Sequence, residues 1–183
     1  MTADQGQDRI RARLLAEAAN NDWLDLWPRV TGARVALLDA LDGVTADQAA
    51  WRPPEGEGEA AWSIIEVARH VRAYSHNVLA IIEATARGET VPKDAPGTLA
   101  ALDPAASLRE VRRAIVEESV RIATVHQRVP AHPDLATTVP HAFFGPLNCR
   151  AWYAFLHFHD TDHTRQVERL KQMAGFPGPG AGS

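Results

Sequence analysis

The chain has 183 residues, 45% of them hydrophobic and 23% charged, with a formal net charge of −4; this is the composition of one soluble globular domain with a real core, and it excludes a disordered chain. The acidic balance and the scattered arginines argue against nucleic acid as a partner, because phosphate binding requires clustered basic residues. Cys149 is the only cysteine, which excludes an intrachain disulfide and leads to the expectation of a reducing, cytoplasmic setting.

The opening MTADQGQDRIRARL is polar, unlike a secretory leader, and no stretch approaches the ~20 apolar residues of a membrane span, so no membrane partner is expected. Apolar residues recur at three- and four-residue spacing between proline-containing loops, which predicts an all-α protein. A short helix is expected over about residues 5–20, within an N-terminal extension at 1–20. A second helix opens near NDWLDLWP, with Asn21 or Asp22 as its cap, and runs to about Leu41. Pro28 suits a first turn better than an interior, which would move the start towards Trp27.

DGVTADQAAWRPPEGEGEA reads as a linker with one helical turn. The next stretch, AWSIIEVARHVRAYSHNVLAIIEATARG, reads as a long amphipathic helix ending at Gly88, with Ile64, Val67, Val71, Tyr74, Val78 and Ile81 facing the core. A long loop over ETVPKDAPGTLAALDPAA follows. Ser107 and Glu110 then match a capping box, opening a helix that reaches about Val129. PAHPDLATTVPHAFFGPLN is read as irregular, with Pro146 in the first turn of a last helix that runs to about Met173. Gly175 ends that helix, and residues 176–183 read as a flexible tail. Together these elements predict a four-helix bundle over residues 21–175, with the extra short helix before it.

The last helix carries FLHFHDTDHTRQ, residues 155–166. Positions i and i+4 share a helical face, so His159 and His163 stack within the apolar stripe of Trp152, Phe155, Leu156, Val167 and Leu170. His157 points away. Two imidazoles on a core-facing stripe need partners, either in hydrogen bonds or on a metal ion. A metal that does chemistry usually has three protein ligands. His70, near the middle of its own helix and at the edge of its core stripe, is the strongest third ligand. His76 is rotated ~120° from it, His126 and His132 fall at a helix end or in a loop, and His141 is a reserve.

Three pieces of the chain resemble the DinB/YfiT-like superfamily of metal-binding four-helix bundles: LLDALDGVTADQAAWRPP, WSIIEVARHV and HDTDHTRQ. They span roughly residues 30–170 in the family's order. The resemblance implies one divalent metal on His70, His159 and His163, a bundle whose second and third helices run the same way, and often a homodimer. Members include transferases of low-molecular-weight thiols such as bacillithiol or mycothiol, thiol-dependent maleylpyruvate isomerases, and proteins without known activity.

Imidazole-only ligation suits zinc, nickel, iron or copper; zinc or nickel is expected first, then iron. An ion on three histidines keeps an open position, where a thiol would become a nucleophile and water would lead to hydrolysis. Expected around it are Glu66, one turn before His70, as a hydrogen-bond acceptor or base, and Gln166 on the His163 face as a ligand contact. Trp62 and Tyr74 are expected to wall the pocket or pack in the core. Asp160 and Asp162 are assigned to a solvated face, with an arginine as a partner for Asp160. HDTDH differs from the H-E-x-x-H of zinc peptidases in its shorter carboxylate and lacks a further downstream histidine. Cys149, ten residues before His159, lies too far along the helix to share the metal and reads as a small buried residue. The leading expectation is a metal-dependent transferase acting on a small-molecule substrate. A metal-dependent hydrolase and a non-catalytic metal-binding bundle are the alternatives.

Overall fold

Helix α1 spans Ala3–Asn20 and α2 spans Trp23–Ala40 in the computed structural model, which describes residues 3–91 and 104–178. Asp22 starts α2: its carboxylate accepts from the amides of Leu24 and Asp25, and Asp25 returns a bond to the Asp22 amide. This reciprocal cap satisfies donors that a helix start leaves open. Pro28 therefore lies inside the helix and not in its first turn. The cap expected at Asp22 forms, and the alternative start near Trp27 is corrected by the strength of that cap and the burial of Trp23 and Leu26. Pro28 lies on the exposed face, where the unbonded Leu24 carbonyl can meet solvent.

The single turn expected in the linker is α3 (Ala46–Ala50), and a short 3-10 turn follows at Gly58–Ala61. Helix α4 (Ile64–Ala86) opens on a box formed by Ser63 and Glu66, and Gly88, at φ +71°, turns the chain away after it. Helix α5 (Leu108–Ala123) opens on the expected Ser107–Glu110 box but is shorter than predicted, because a 3-10 turn takes over at Val125–Gln127. Residues 92–103 of the long loop before it, and 179–183 of the tail, lie outside the described residues.

The stretch read as irregular contains an antiparallel hairpin, β1 (Thr138–His141) and β2 (Gly145–Asn148), in which Pro140 faces Pro146. Two four-residue strands, each with a proline, present too little alternation to read as strands. Pro146 thus belongs to a strand. The last helix, α6 (Cys149–Gln172), begins three residues later, where the Asn148 side chain accepts from the Ala151 amide.

Contacts between helices give the topology. From α4 to α5, Arg69 donates to the Ala106 carbonyl, His76 meets Glu118 and Arg128 meets Glu83; the numbers rise together, so the two helices run the same way. From α2 to α6, Trp23 packs on Tyr153 and Arg34 bonds Asp160, again parallel. From α4 to α6, His70 lies beside His163 while Tyr74 lies beside Phe155, an antiparallel pair. Trp27 on Ala123 and Leu38 on Arg112 make α2 and α5 antiparallel as well. The bundle is therefore up-down-down-up, and the parallel pair requires the long connection between α4 and α5. Helix α1 packs outside the four, burying Leu14 and Ala18 in the same apolar cluster as α2 and α6.

That core has two apolar halves. One gathers Leu14, Leu26, Leu79, Ile82, Ile122 and Leu156; the other gathers Leu37, Val67, Val71, Ile115, Val167 and Leu170. Between them every bundle helix places polar side chains: Arg34, then His70 and Ser75, then Glu118, then His159, Asp160 and His163. At the centre of this layer Arg34 Nε donates to Asp160 at 2.7 Å, and its Nη2 donates to Asp160 at 3.1 Å and to Ser75 Oγ at 2.7 Å. Asp160 is fully buried, which corrects its assignment to a solvated face. Helix α6 packs against α1, α2 and α4, and at Asp160 the bond to Arg34 of α2 makes the flank of its histidine stripe interior too. Burial pushes the Asp160 carboxyl up, but the charge and hydrogen bonds of Arg34, aided by His159, more than offset this and hold it below its ordinary value.

Removing one partner of a buried ion pair leaves the other uncompensated, at a cost of roughly 3–5 kcal/mol. Arg34→Ala should therefore lower the denaturation midpoint strongly, and the double change Arg34→Met with Asp160→Leu should recover much of the loss. Chemical denaturation of the three proteins checks this; a mild effect of Arg34→Ala alone would contradict it.

Candidate metal centre

Helix α4 supplies His70 and helix α6 supplies His159 and His163, one turn apart on the side facing α4. Their nitrogens, one per ring, lie within 4.8 Å of one another. His70 Nε2 and His159 Nε2 stand 3.1 Å apart. Two donors on one tetrahedral zinc, each at about 2.0–2.1 Å, stand about 3.3 Å apart. The separation fits a shared ion, and without one it fits a single N–H···N hydrogen bond.

Gln166 sets the tautomer of His163. Its amide nitrogen donates to the Glu59 carbonyl at 2.6 Å, which turns its oxygen towards His163 Nδ1 at 2.8 Å. His163 Nδ1 must then carry the hydrogen, and Nε2 keeps the lone pair a metal needs. His159 Nδ1 faces the Asp160 carboxylate at 3.5 Å, which likewise directs Nε2 towards His70. Gln166 thus holds His163 in place from behind, where the sequence reading gave it a ligand contact.

Burial, with His159 and His163 alongside, holds His70 down to about 4. Burial also lowers His159, against the opposing pull of Asp160. Both rings are neutral at pH 7, so their lone pairs are available.

The three rings form the inner wall of a cavity of about 570 Å³. Tyr74 lines it, stacked on His159 at 4.0 Å between centroids and 12° between planes, whereas Trp62 packs 5.0 Å from His70 and is not part of the lining. Glu66 is occupied otherwise than expected. One carboxylate oxygen accepts from the Ser63 amide and hydroxyl, capping α4, and the other is held by Arg52. His76 is drawn to Glu118 on α5, His132 is exposed, and His126 sits in the turn after α5. Asp162 is exposed, as expected, and lies at the cavity with His157. Cys149 is fully buried, and burial pushes its thiol up to about 11; desolvation outweighs the helix start.

Several contributors had no role in the sequence reading, and His141 stood there only as a reserve ligand. Arg34 interrupts the α2 stripe of Leu26, Val30, Leu37 and Leu41, a charge at a core position that could have signalled a buried partner. His141, on the hairpin, meets the Tyr74 hydroxyl at 3.2 Å. Ile10 and Arg13 of α1, with Phe143 and Phe144 of the hairpin, complete the cavity; no sequence pattern places these segments together.

A family model described as the DinB superfamily matches residues 29–167, which takes in all three histidines and leaves α1 outside. No match is found among curated proteins, and none among solved structures.

Burial holds His70 and His141 each down to about 4, against an ordinary value of 6.5. As pH falls from 6.5 towards 4, the unfolded chain takes up protons that the folded chain refuses, so stability present above 6.5 is lost across that window. Thermal melts of the metal-free protein should give a steady Tm from about pH 8 to 7 and a falling Tm below about 6.5. A Tm that rises on acidification through this range would contradict the burial of neutral imidazoles.

Proposed function

The chain belongs to the DinB superfamily, and from that premise we propose that it is a metal-dependent transferase joining a low-molecular-weight thiol to a small electrophile at His70, His159 and His163. The observation that carries this reading is the convergence of three imidazoles on one wall of a cavity of about 570 Å³, room for a thiol and an electrophile together. A divalent ion held there, zinc or nickel first and then iron, supplies the positive charge that makes a bound thiol nucleophilic near neutral pH.

The chain's own groups do the remaining work. Gln166 and Asp160 keep His163 and His159 turned so that Nε2 faces inward. Tyr74, Phe144 and Phe155 offer an apolar seat for the electrophile and reduce the access of water, the competing nucleophile. Two carboxylates close to the histidines along their helices are not free to act as bases, since Glu66 caps α4 and Asp160 is bound to Arg34. Thiol transfer needs no such base once the thiol proton has been released to water; the thiolate sulfur then forms the new bond as the electrophile's leaving group departs with its bonding electron pair. Hydrolysis is the second reading, because Glu59 and Asp162 also line the cavity and a carboxylate there could accept a proton from water.

Protein prepared without a histidine tag and loaded with zinc or nickel should consume monochlorobimane only when bacillithiol or mycothiol is supplied. His159→Ala should bind far less metal and lose this turnover by about 100-fold or more. Turnover without thiol would favour hydrolysis, and equal metal in the variant and the parent would remove the site.

A further inference from the structure

We propose that Tyr74 is a fixed hydrogen-bond donor aimed into the cavity, and that it receives an oxygen of the electrophile beside the three histidines. The role of that oxygen rests on the transferase reading; the donor itself does not.

The direction of the Tyr74 hydroxyl follows from the hairpin. His141 Nδ1 lies 3.1 Å from the amide nitrogen of Phe143 and 3.4 Å from that of Phe144. Backbone amides only donate, so Nδ1 must present its lone pair to them, and the ring's one hydrogen sits on Nε2. Nε2 faces Tyr74 Oη at 3.2 Å. In that contact the imidazole donates and the phenol accepts. The phenol's own hydrogen must then point elsewhere, and among the described residues Tyr74 Oη has no second hydrogen-bond partner.

Both rings are held in place. His141 packs against Phe144 and Phe155, each at 4.7 Å, and against Trp152 at 5.0 Å. Tyr74 lies flat on His159 and at 29° to His70, 5.7 Å away. Tyr74 and His141 line the same cavity as the three histidines, and there Phe144, Phe155 and Phe158 form an aromatic wall beside the charged side chains of Arg13, Glu59, Asp162 and Arg165. A donor beside this aromatic wall favours a ligand whose apolar body packs on the phenylalanines and whose oxygen acceptor, a carbonyl or a carboxylate, reaches Tyr74. Removing the match would leave a polar group unpaired on one side or the other, which gives the donor its discriminating power.

The test uses two probes that differ in the acceptor: benzoate, with an aromatic ring and a carboxylate, and toluene, with the ring alone. Their affinities are measured by ligand-observed NMR on the full chain, metal-free and zinc-loaded, for the parent and Tyr74→Phe. The variant should weaken benzoate about tenfold or more in the metal-free protein and change toluene by less than about twofold. Retained toluene binding reports an intact cavity in the variant. Unchanged benzoate affinity, or equal weakening of both probes, overturns the proposal. If thiol conjugation fails while the benzoate contrast holds, the transferase reading falls and the donor stands.

Discussion

The ion pair of Arg34 and Asp160 is the constraint on which the centre of this bundle depends. A guanidinium and a carboxylate out of water are tolerated only when they satisfy one another closely, so α2 and α6 must meet with these residues face to face. Ser75, accepting from Arg34 and donating to the Val71 carbonyl, ties α4 to the same point. With Asp160 directed at α2, the helical period turns His159 and His163 towards α4, where His70 lies. The pair thus sets the rotation of the helix that carries most of the site.

The two apolar halves of the core explain why this layer persists at mid-height. Each half is closed by aliphatic side chains from the bundle helices, and the polar groups sit at the boundary, where they find one another instead of water. The functional asymmetry comes from the side on which α1 and the hairpin lie. There the layer opens into a cavity, and the surrounding aromatics convert an exposed histidine cluster into a walled site. Ile10 and Arg13 reach it from α1, outside the span that the family model matches.

Much of this was legible in the sequence, for physical reasons. The i, i+4 spacing of His159 and His163 holds on any helix, and long amphipathic helices at bundle length bring mid-helix positions such as His70 to similar heights. Capping boxes at Ser107 and Glu110 gave one helix start correctly. Other features depend on surroundings that a single helix does not reveal. Asp160 sits off the histidine stripe, and only the presence of α2 on that flank makes it interior. Pro28 argues for a later helix start, but of the two starts open in the sequence the Asp22 cap is the one that forms. Glu66 could have served His70 or its own helix end, and the local bond to Ser63 won. The hairpin was missed, and His141 was read only as a reserve ligand, because strands of four residues with a proline in each carry almost no period.

The convergence of three imidazoles on one ion is tested most directly by X-ray absorption spectroscopy of the zinc-loaded protein. The account predicts a first coordination shell with three histidine nitrogens at about 2.0–2.1 Å, with any further ligand an oxygen or an added thiol sulfur. A shell with fewer than two imidazoles, or one unchanged in the His70→Ala protein, would contradict it.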